Sequence, residues 1–515
     1  MSRRVFDLRR ISLSTYLLAV LLASVAAGCA RTTAPAGEPS GPAITLEPCH
    51  LSAPGSATRL SAQCGTLTVY EDRAAQAGRQ IDLYIAVIPA LSRNPDPDPL
   101  FYVTGGPGGG ATQDYLQMWP AFRRINEKRD IVLVDQRGTG QSHPLDCPSL
   151  EEEPATLPED EALDQWATRC LDQFDANLDL YATSIAMDDL DQVRAVLGYD
   201  KINLYGVSYG TRAALTYLRR HGSHVRTVIL DGVLPQDEPL GISIASDAQR
   251  ALDLTFERCA ADSACAQAFP DLRQEFETLL EQLKREPVQV TLLHPTTGEL
   301  TEVNFTREEF ASTVRLLSYS QETVALLPLL IHTTQANGDF SRLAAQYLLV
   351  SQQLEGNVSE GMYHSVVCAE DVPFFYEGEE FAGDGDAEKN SYLGEWYREM
   401  ENICALWPVT GVPADFKAPV ASEVPALLLS GEADPVTPPS NGDRAARTLP
   451  NSLHLVAPGQ GHGVIIRGCI PRVATEFVEM GTVQGLDVSC IGEIRPMPFF
   501  VNFAGPNPEA SEIEP

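Results

Sequence analysis

The chain has few positive charges for its length, and this imbalance excludes two classes of partner. Its 515 residues include 37 Lys and Arg against 70 Asp and Glu, so the formal net charge is −33 at pH 7. Nucleic acid and anionic lipid headgroups would both be repelled by such a surface. We therefore expect no nucleic-acid partner and no membrane attachment through charge.

Two further absences concern zinc and membrane spans. No two cysteines stand in a CxxC pair, which argues against a thiolate zinc site. After residue 27 no apolar run is long enough to cross a bilayer. Attachment to a membrane is therefore expected only from the N-terminus.

The first 28 residues have the pattern of a bacterial export signal. Four arginines precede the apolar run at 11–27, which ends in small residues directly before Cys29. This order resembles a lipoprotein signal and predicts that Cys29 is lipidated, so that a lipid anchor holds the protein in the cell envelope. Cleavage near Ala27 without lipidation and export by the twin-arginine route remain alternatives.

Ten cysteines follow Cys29, and an even number in an exported chain predicts disulfides. Spacing alone does not fix their connectivity. The simplest hypothesis pairs each cysteine with its neighbour along the chain: Cys49–Cys64, Cys147–Cys170, Cys259–Cys265, Cys368–Cys404 and Cys469–Cys490.

Short apolar runs alternate with helical patterns from about residue 65, which predicts an α/β fold with a mostly parallel, doubly wound sheet. The strand pattern lapses after Gly232 and returns near residue 424, so a mainly helical insertion is expected to split the core. The predicted segments are a signal peptide at 1–28, a flexible tether and N-terminal segment at 29–64, core at 65–234, a helical cap at 235–417, core at 418–491 and a tail at 492–515.

Ser208 lies between two glycines, in GVSYG, where the apolar run KINLYG gives way to a helical pattern. A serine there can be structural filler, but strand, tight turn and helix are also the context of a nucleophile elbow. A serine nucleophile needs a base and an orienting acid, which in this fold follow it as Asp or Glu and then His. Asp434 in GEADPVTPP and His462 in GQGHG each follow a predicted strand, in that order. Together they predict a catalytic triad, although each alone is equally compatible with a loop residue.

The glycine-rich segment TGGPGGG at 104–110 also follows a predicted strand. Such a loop supplies a backbone N–H to an oxyanion hole, and the residue after the nucleophile supplies another. We assign these donors to Gly106 and Tyr209. A phosphate-binding role is excluded because the Lys-Ser/Thr of a P-loop is missing.

With GGPGGG, DQRGTGQS, GVSYGT, GEADPVTP and GQGHG in this order, the chain resembles the proline iminopeptidase and tripeptidyl aminopeptidase group of α/β hydrolases. The resemblance implies a serine exopeptidase with Ser208 as nucleophile, His462 as base and Asp434 as its orienter, and without a metal or organic cofactor. Thr104 stands where proline iminopeptidases usually have histidine, which favours the tripeptidyl branch.

The resemblance also implies peptides with a free N-terminus as substrates, and carboxylates in the cap that bind the α-amine. Glu370 and Asp371 are our candidates for this role, the alternative being two acids on a solvated surface. Alternative functions for the whole chain are a carboxylesterase or lipase that uses the same triad, a proline iminopeptidase, and a surface-anchored binding module without catalysis.

Overall fold

A nine-stranded sheet lies at the centre of the part of the chain that the computed structural model describes, namely residues 44–52, 58–148, 159–355, 357–376 and 391–506. Its order is β1-β2-β3-β5-β4-β6-β7-β10-β11. The strands are β1 (Glu47–Leu51), β2 (Leu60–Tyr70), β3 (Gln80–Ile88), β4 (Leu100–Val103), β5 (Ile131–Val134), β6 (Ile202–Val207), β7 (Val225–Asp231), β10 (Ala426–Gly431) and β11 (Ser452–Ala457). Cys29 and the predicted signal peptide lie outside the described residues.

In the order of the sheet, the six strands β5, β4, β6, β7, β10 and β11 run parallel to one another. The strands β1, β2 and β3 form an antiparallel edge, and β3 joins it to β5 by an antiparallel pairing. Apart from the edge strand β11, where Val456 is exposed, the parallel strands are largely buried on both faces, and successive side chains enter different cores. Phe101 and Val103 pack on one side, and Leu100 and Tyr102 on the other. This arrangement confirms the predicted α/β fold with its mostly parallel sheet.

Helices cover both faces of this sheet. On one face lie α3 (Thr183–Leu197) and α4 (Tyr209–His221), and on the other lie α1 (Ala111–Asn126) and α15 (Ile470–Met480). Two further core helices are α2 (Glu159–Leu171) and α14 (Pro439–Ala446). Because parallel strands require crossovers, each helix returns the chain to the amino ends of the strands, and the loops that leave the carboxyl ends gather at the opposite edge of the sheet.

Between β7 and β10 the chain forms a cap with its own hydrophobic core. A hairpin of β8 (Val288–Leu293) and β9 (Leu300–Phe305) accompanies its helices. These helices are α5 (Ile244–Ala261), α6 (Ser263–Ala268), α7 (Leu272–Arg285), α8 (Arg307–Leu317), α9 (Gln321–Val324), α10 (Leu327–Asn337), α11 (Ser341–Glu355), α12 (Glu360–Glu370) and α13 (Tyr397–Leu406). None of the described helices is both long and apolar enough to cross a bilayer.

The five disulfides among the described residues join cysteines that are neighbours along the chain, as predicted.

Two segments are more ordered than their composition suggests. Residues 47–51 form the edge strand β1, which Cys49–Cys64 ties to β2. In the tail, Phe499 is buried in the cap core beneath Arg258, and Phe500 donates its N–H to Ala325.

Candidate active site

Ser208 occupies a sharp turn between β6 and α4, and its backbone has φ 57° and ψ −129°. Few residues other than glycine adopt a positive φ, so this conformation is strained. The flanking glycines are required by packing. A Cβ at Gly206 would overlap the carbonyl oxygen of Gly210, and one at Gly210 would overlap that of Val103. The serine side chain is half-buried at the carboxyl end of β6, in the geometry of a nucleophile elbow.

The glycine-rich loop lies directly against this serine. It follows β4, which pairs with β6, and a Cβ at Gly105 would lie 2.8 Å from Cβ of Ser208. Gly106 follows with φ +114°, a conformation that favours glycine. Within the described residues, the backbone N–H groups of Gly106 and Tyr209 donate no hydrogen bond. Both donors are therefore available to a bound oxyanion.

His462 and Asp434 form a hydrogen-bonded pair at the same edge of the sheet. Nδ1 of His462 lies 2.8 Å from Oδ2 of Asp434. Asp434 follows β10 and is fully buried, and it also accepts the backbone N–H groups of Val436 and Thr437. With its carboxylate fixed in this way, Asp434 orients the imidazole and selects the tautomer with the proton on Nδ1.

The pair shifts the pKa of both its members. Burial lowers the pKa of His462, but the charge of Asp434 and their hydrogen bond outweigh this effect and raise it above its usual value. Burial alone would raise the pKa of Asp434, but the interaction with His462 and the two backbone donors outweigh burial and lower this pKa below its usual value. Asp434 is consequently an anion at neutral pH, and it stabilises a positive charge on His462.

Two polar side chains that the sequence analysis missed complete this arrangement. The hydroxyl of Thr437 lies 2.8 Å from Oδ2 of Asp434 and 3.0 Å from Nδ1 of His462. The carboxylate of Asp231, at the end of β7, accepts the N–H groups of Val464 and Ile465, at 2.8 and 2.9 Å, just after the histidine. Asp231 follows the apolar run TVIL as Asp135 follows IVLV, and this was the only signal in the sequence for Asp231.

The cap contacts the histidine directly. The backbone N–H of His462 donates to the carbonyl oxygen of Tyr319 at 2.9 Å, and the two rings meet edge to face with centroids 5.1 Å apart. On its far side the histidine ring lies over Gly232, where a Cβ would come within 2.9 Å of Cε1. The imidazole is thus held between the cap and the carboxyl end of β7.

Glu370 and Asp371, the predicted amine-binding pair, lie in the interior and not on a surface. Both are fully buried. Glu370 accepts the N–H and hydroxyl of Thr183, at 2.6 and 2.7 Å. Asp371 pairs with Arg212 and Lys417, at 2.6 and 2.7 Å, so its charge is already neutralised. Oδ2 of Asp371 has no hydrogen-bond partner among the described residues, but a substrate could reach either carboxylate only if the surrounding side chains moved, because both residues are fully buried.

Comparisons with known proteins agree with this geometry. A model of the alpha/beta hydrolase fold matches residues 98–326, and a model of the TAP-like proteins matches residues 390–490. Serine protease Hip1 of Mycobacterium tuberculosis is 27% identical over 537 aligned residues, which cover 95% of this chain and 99% of Hip1. Tripeptidyl aminopeptidase of Streptomyces lividans is 26% identical over 85% of this chain and 85% of its own length. Carboxylesterase B of Mycobacterium tuberculosis is 26% identical over 84% of this chain and 86% of its own. The chain therefore has the α/β-hydrolase fold, and it is similar to serine peptidases of that fold.

Proposed function

We propose that this protein is an exported serine aminopeptidase that removes short N-terminal fragments, di- or tripeptides, from peptides with a free N-terminus. The observation that carries the proposal is the position of Ser208 on a strained elbow at the same sheet edge as the hydrogen-bonded pair His462–Asp434. Its similarity to a serine protease and to a tripeptidyl aminopeptidase supports a peptide substrate. Five disulfides favour an oxidising compartment outside the cytoplasm.

In this mechanism Ser208 attacks the scissile carbonyl while His462 accepts its proton. The N–H groups of Gly106 and Tyr209 stabilise the oxyanion of the tetrahedral intermediate. His462 then protonates the leaving amine, and water hydrolyses the acyl-enzyme by the same steps in reverse. Asp434 remains an anion throughout and stabilises the imidazolium.

We assign the recognition of the substrate amine to Asp247, with Glu238 beside it, in place of Glu370 and Asp371. Asp247 lies in the first turn of α5, is partly exposed, and interacts electrostatically with Asp434. Burial, and then the charge of Glu238, raise the pKa of Asp247 to about 8. A bound ammonium group would stabilise the ionised form of this carboxylate. Glu238 already pairs with Arg444 at 2.7 Å.

Carboxylesterase activity is the second candidate, and the similarity to carboxylesterase B favours it. The same triad cleaves oxygen esters, because acyl transfer differs only in the leaving group. Recognition of an amine separates the two functions, since an esterase has no use for a carboxylate that faces a free N-terminus.

The test uses tripeptides with a fluorogenic leaving group, one set with a free N-terminus and one N-acetylated, beside a p-nitrophenyl ester. We expect cleavage of the free set, at least tenfold slower cleavage of the acetylated set, and no turnover by Ser208→Ala. Asp247→Asn should raise KM for the free set only. Asp253→Asn, the same change on the same helix, is the matched control. Hydrolysis of the ester with none of the peptides would replace the proposal by the esterase.

A further inference from the structure

A group of histidines and aspartates lies at the far end of α4 from Ser208. Asp188 and Asp191 are one turn apart on α3, His221 is the last residue of α4, and His224 ends the short 3-10 helix Gly222–His224. Since α4 has 13 residues, this group is roughly 18 Å from the nucleophile along the helix axis. The proposed reaction does not use any of these side chains.

Three of these residues converge closely enough to share one ion. Asp191, His221 and His224 each offer a ligand atom, and the three atoms all lie within 4.8 Å of one another. Nδ1 of His224 is 2.8 Å from Oδ1 of Asp191, and Nδ1 of His221 is 3.6 Å from Oδ2 of the same carboxylate. Two imidazole nitrogens and one carboxylate oxygen are a common set of protein ligands for Zn²⁺, which then takes water as its fourth ligand.

The surrounding side chains orient these ligands as partners in metal sites do. Nε2 of His221 lies 2.8 Å from Oδ1 of Asp188, and Arg220 holds that carboxylate through two hydrogen bonds of 2.8 and 2.6 Å. A carboxylate on the outer nitrogen places the proton there and leaves the lone pair of Nδ1 free for a metal. Cysteine spacing in the sequence gives no sign of this set of side chains.

The aspartate ligand is oriented in the same way. Its Oδ1 accepts hydrogen bonds from the hydroxyl of Tyr217 and from Nε of Arg194, at 2.8 and 2.7 Å, and also lies 2.8 Å from Nδ1 of His224. Oδ2 is therefore the oxygen left for a cation. The three side chains are 17–34% exposed, which leaves a path for an ion from solvent.

We propose that Asp191, His221 and His224 form a Zn²⁺ site, separate from the triad, that joins α3 to the end of α4. The same two helices also meet at their other ends, where the hydroxyls of Thr183 and Tyr209 lie 2.6 Å apart beside the nucleophile. A metal ion that links the middle of α3 to the end of α4 stabilises this helix pair.

The test is a zinc titration of the purified, tag-free protein after dialysis against a chelator, followed by competition with a chromophoric chelator and by thermal unfolding. We expect saturable binding of one Zn²⁺ at this site and a rise in Tm with zinc. His221→Ala/His224→Ala should lose this binding and the rise in Tm. Asp188→Asn should weaken binding ten- to hundredfold, as loss of an outer partner does.

His332→Ala is the matched control, because His332 also hydrogen-bonds a carboxylate, Glu275 at 2.8 Å, but belongs to the cap. This variant should bind zinc like the wild type. His224→Gln provides a second, milder variant in case the double substitution fails to fold, and circular dichroism checks the fold of each. Absence of saturable binding at micromolar zinc, or equal binding by the wild type and the two histidine variants, overturns the proposal.

Discussion

The backbone N–H of Ser208 donates a 2.9 Å hydrogen bond to the carbonyl oxygen of Asp231. The carboxylate of the same aspartate accepts the N–H groups of Val464 and Ile465 and the hydroxyl of Tyr205. A single buried residue at the end of β7 thus fixes both the nucleophile turn and the loop that carries His462. We infer that Asp231 is a positioning residue of the triad.

Asp231→Asn should lower kcat at least tenfold with little change in KM, and should destabilise the fold by about 1–3 kcal/mol. A carboxamide has one acceptor oxygen where the carboxylate has two, so at least one buried N–H loses its partner. Steady-state kinetics and urea unfolding measure the two effects. Asp443→Asn, at an aspartate whose side chain is 70% exposed, should change neither. A wild-type kcat in Asp231→Asn would rule out the positioning role.

Asp434→Asn should lower kcat by about 10⁴-fold while the protein still folds. The carboxamide no longer favours the tautomer of His462 that leaves Nε2 free to accept a proton, and it cannot stabilise the imidazolium. Thr437→Val removes only a hydroxyl from the same cluster and should cost much less. If the two variants lost equal activity, Asp434 would not be the orienting acid.

The pH profile of kcat/KM should have an acid limb whose midpoint lies above 6.5. His462 must be neutral to accept a proton, and its pKa is raised from that ordinary value chiefly by Asp434, against the opposing effect of burial. Activity therefore rises as the pH rises through this pKa. In the residual activity of Asp434→Asn, the midpoint of this acid limb should lie at a lower pH than in the wild type. A midpoint below 6.5 in the wild type would contradict the arrangement of the pair.

Glu370 should make the stability of the protein depend on pH. Burial raises the pKa of Glu370 to about 7, although the hydrogen bonds that Thr183 donates lower it. The charge of Asp371 also raises this pKa, and the charge of Arg212 lowers it. A carboxyl whose pKa is higher in the folded state stabilises the fold fully below its unfolded pKa of 4.5, and this contribution is lost as the pH rises through about 7.

Urea unfolding at pH 4.5 and pH 8 measures this effect. Between these values the wild type should lose on the order of 3 kcal/mol more stability than Glu370→Gln, which cannot ionise. Glu308→Gln, at an exposed glutamate, should keep the wild-type dependence. Equal pH dependence in the wild type and Glu370→Gln would show that Glu370 does not ionise in this range.

Local patterns predicted the elements of the candidate site but not the contacts between them. The turn at Ser208 follows from a strand, two glycines and a helix that are adjacent in sequence, and the loops of Asp434 and His462 follow strands in the same way. Asp231 and Val464 are 233 residues apart, so no local pattern joins them. The preference for the tripeptidyl branch over the proline iminopeptidases rests only on the identity of Thr104 in the sequence. In the structure the hydroxyl of Thr104 donates to Asp114 at 2.6 Å.

The burial of the predicted amine-binding pair could not be foreseen for the same physical reason. An acidic pair in the sequence indicates charge but not burial, and the partners that neutralise Asp371 are distant in the chain. Arg212 is 159 residues before it and Lys417 is 46 residues after it. The disulfides could be predicted because their cysteines are close neighbours, and short loops are the easiest to close.

The central claim is that His462 activates Ser208 as a nucleophile, and covalent labelling tests it most directly. The protein is treated with a fluorophosphonate, and peptides are then analysed by mass spectrometry. We predict one adduct per chain, on Ser208, with parallel loss of hydrolysis and at least hundredfold slower labelling of His462→Ala. Labelling of another residue, or full hydrolysis after Ser208 is modified, would contradict the account.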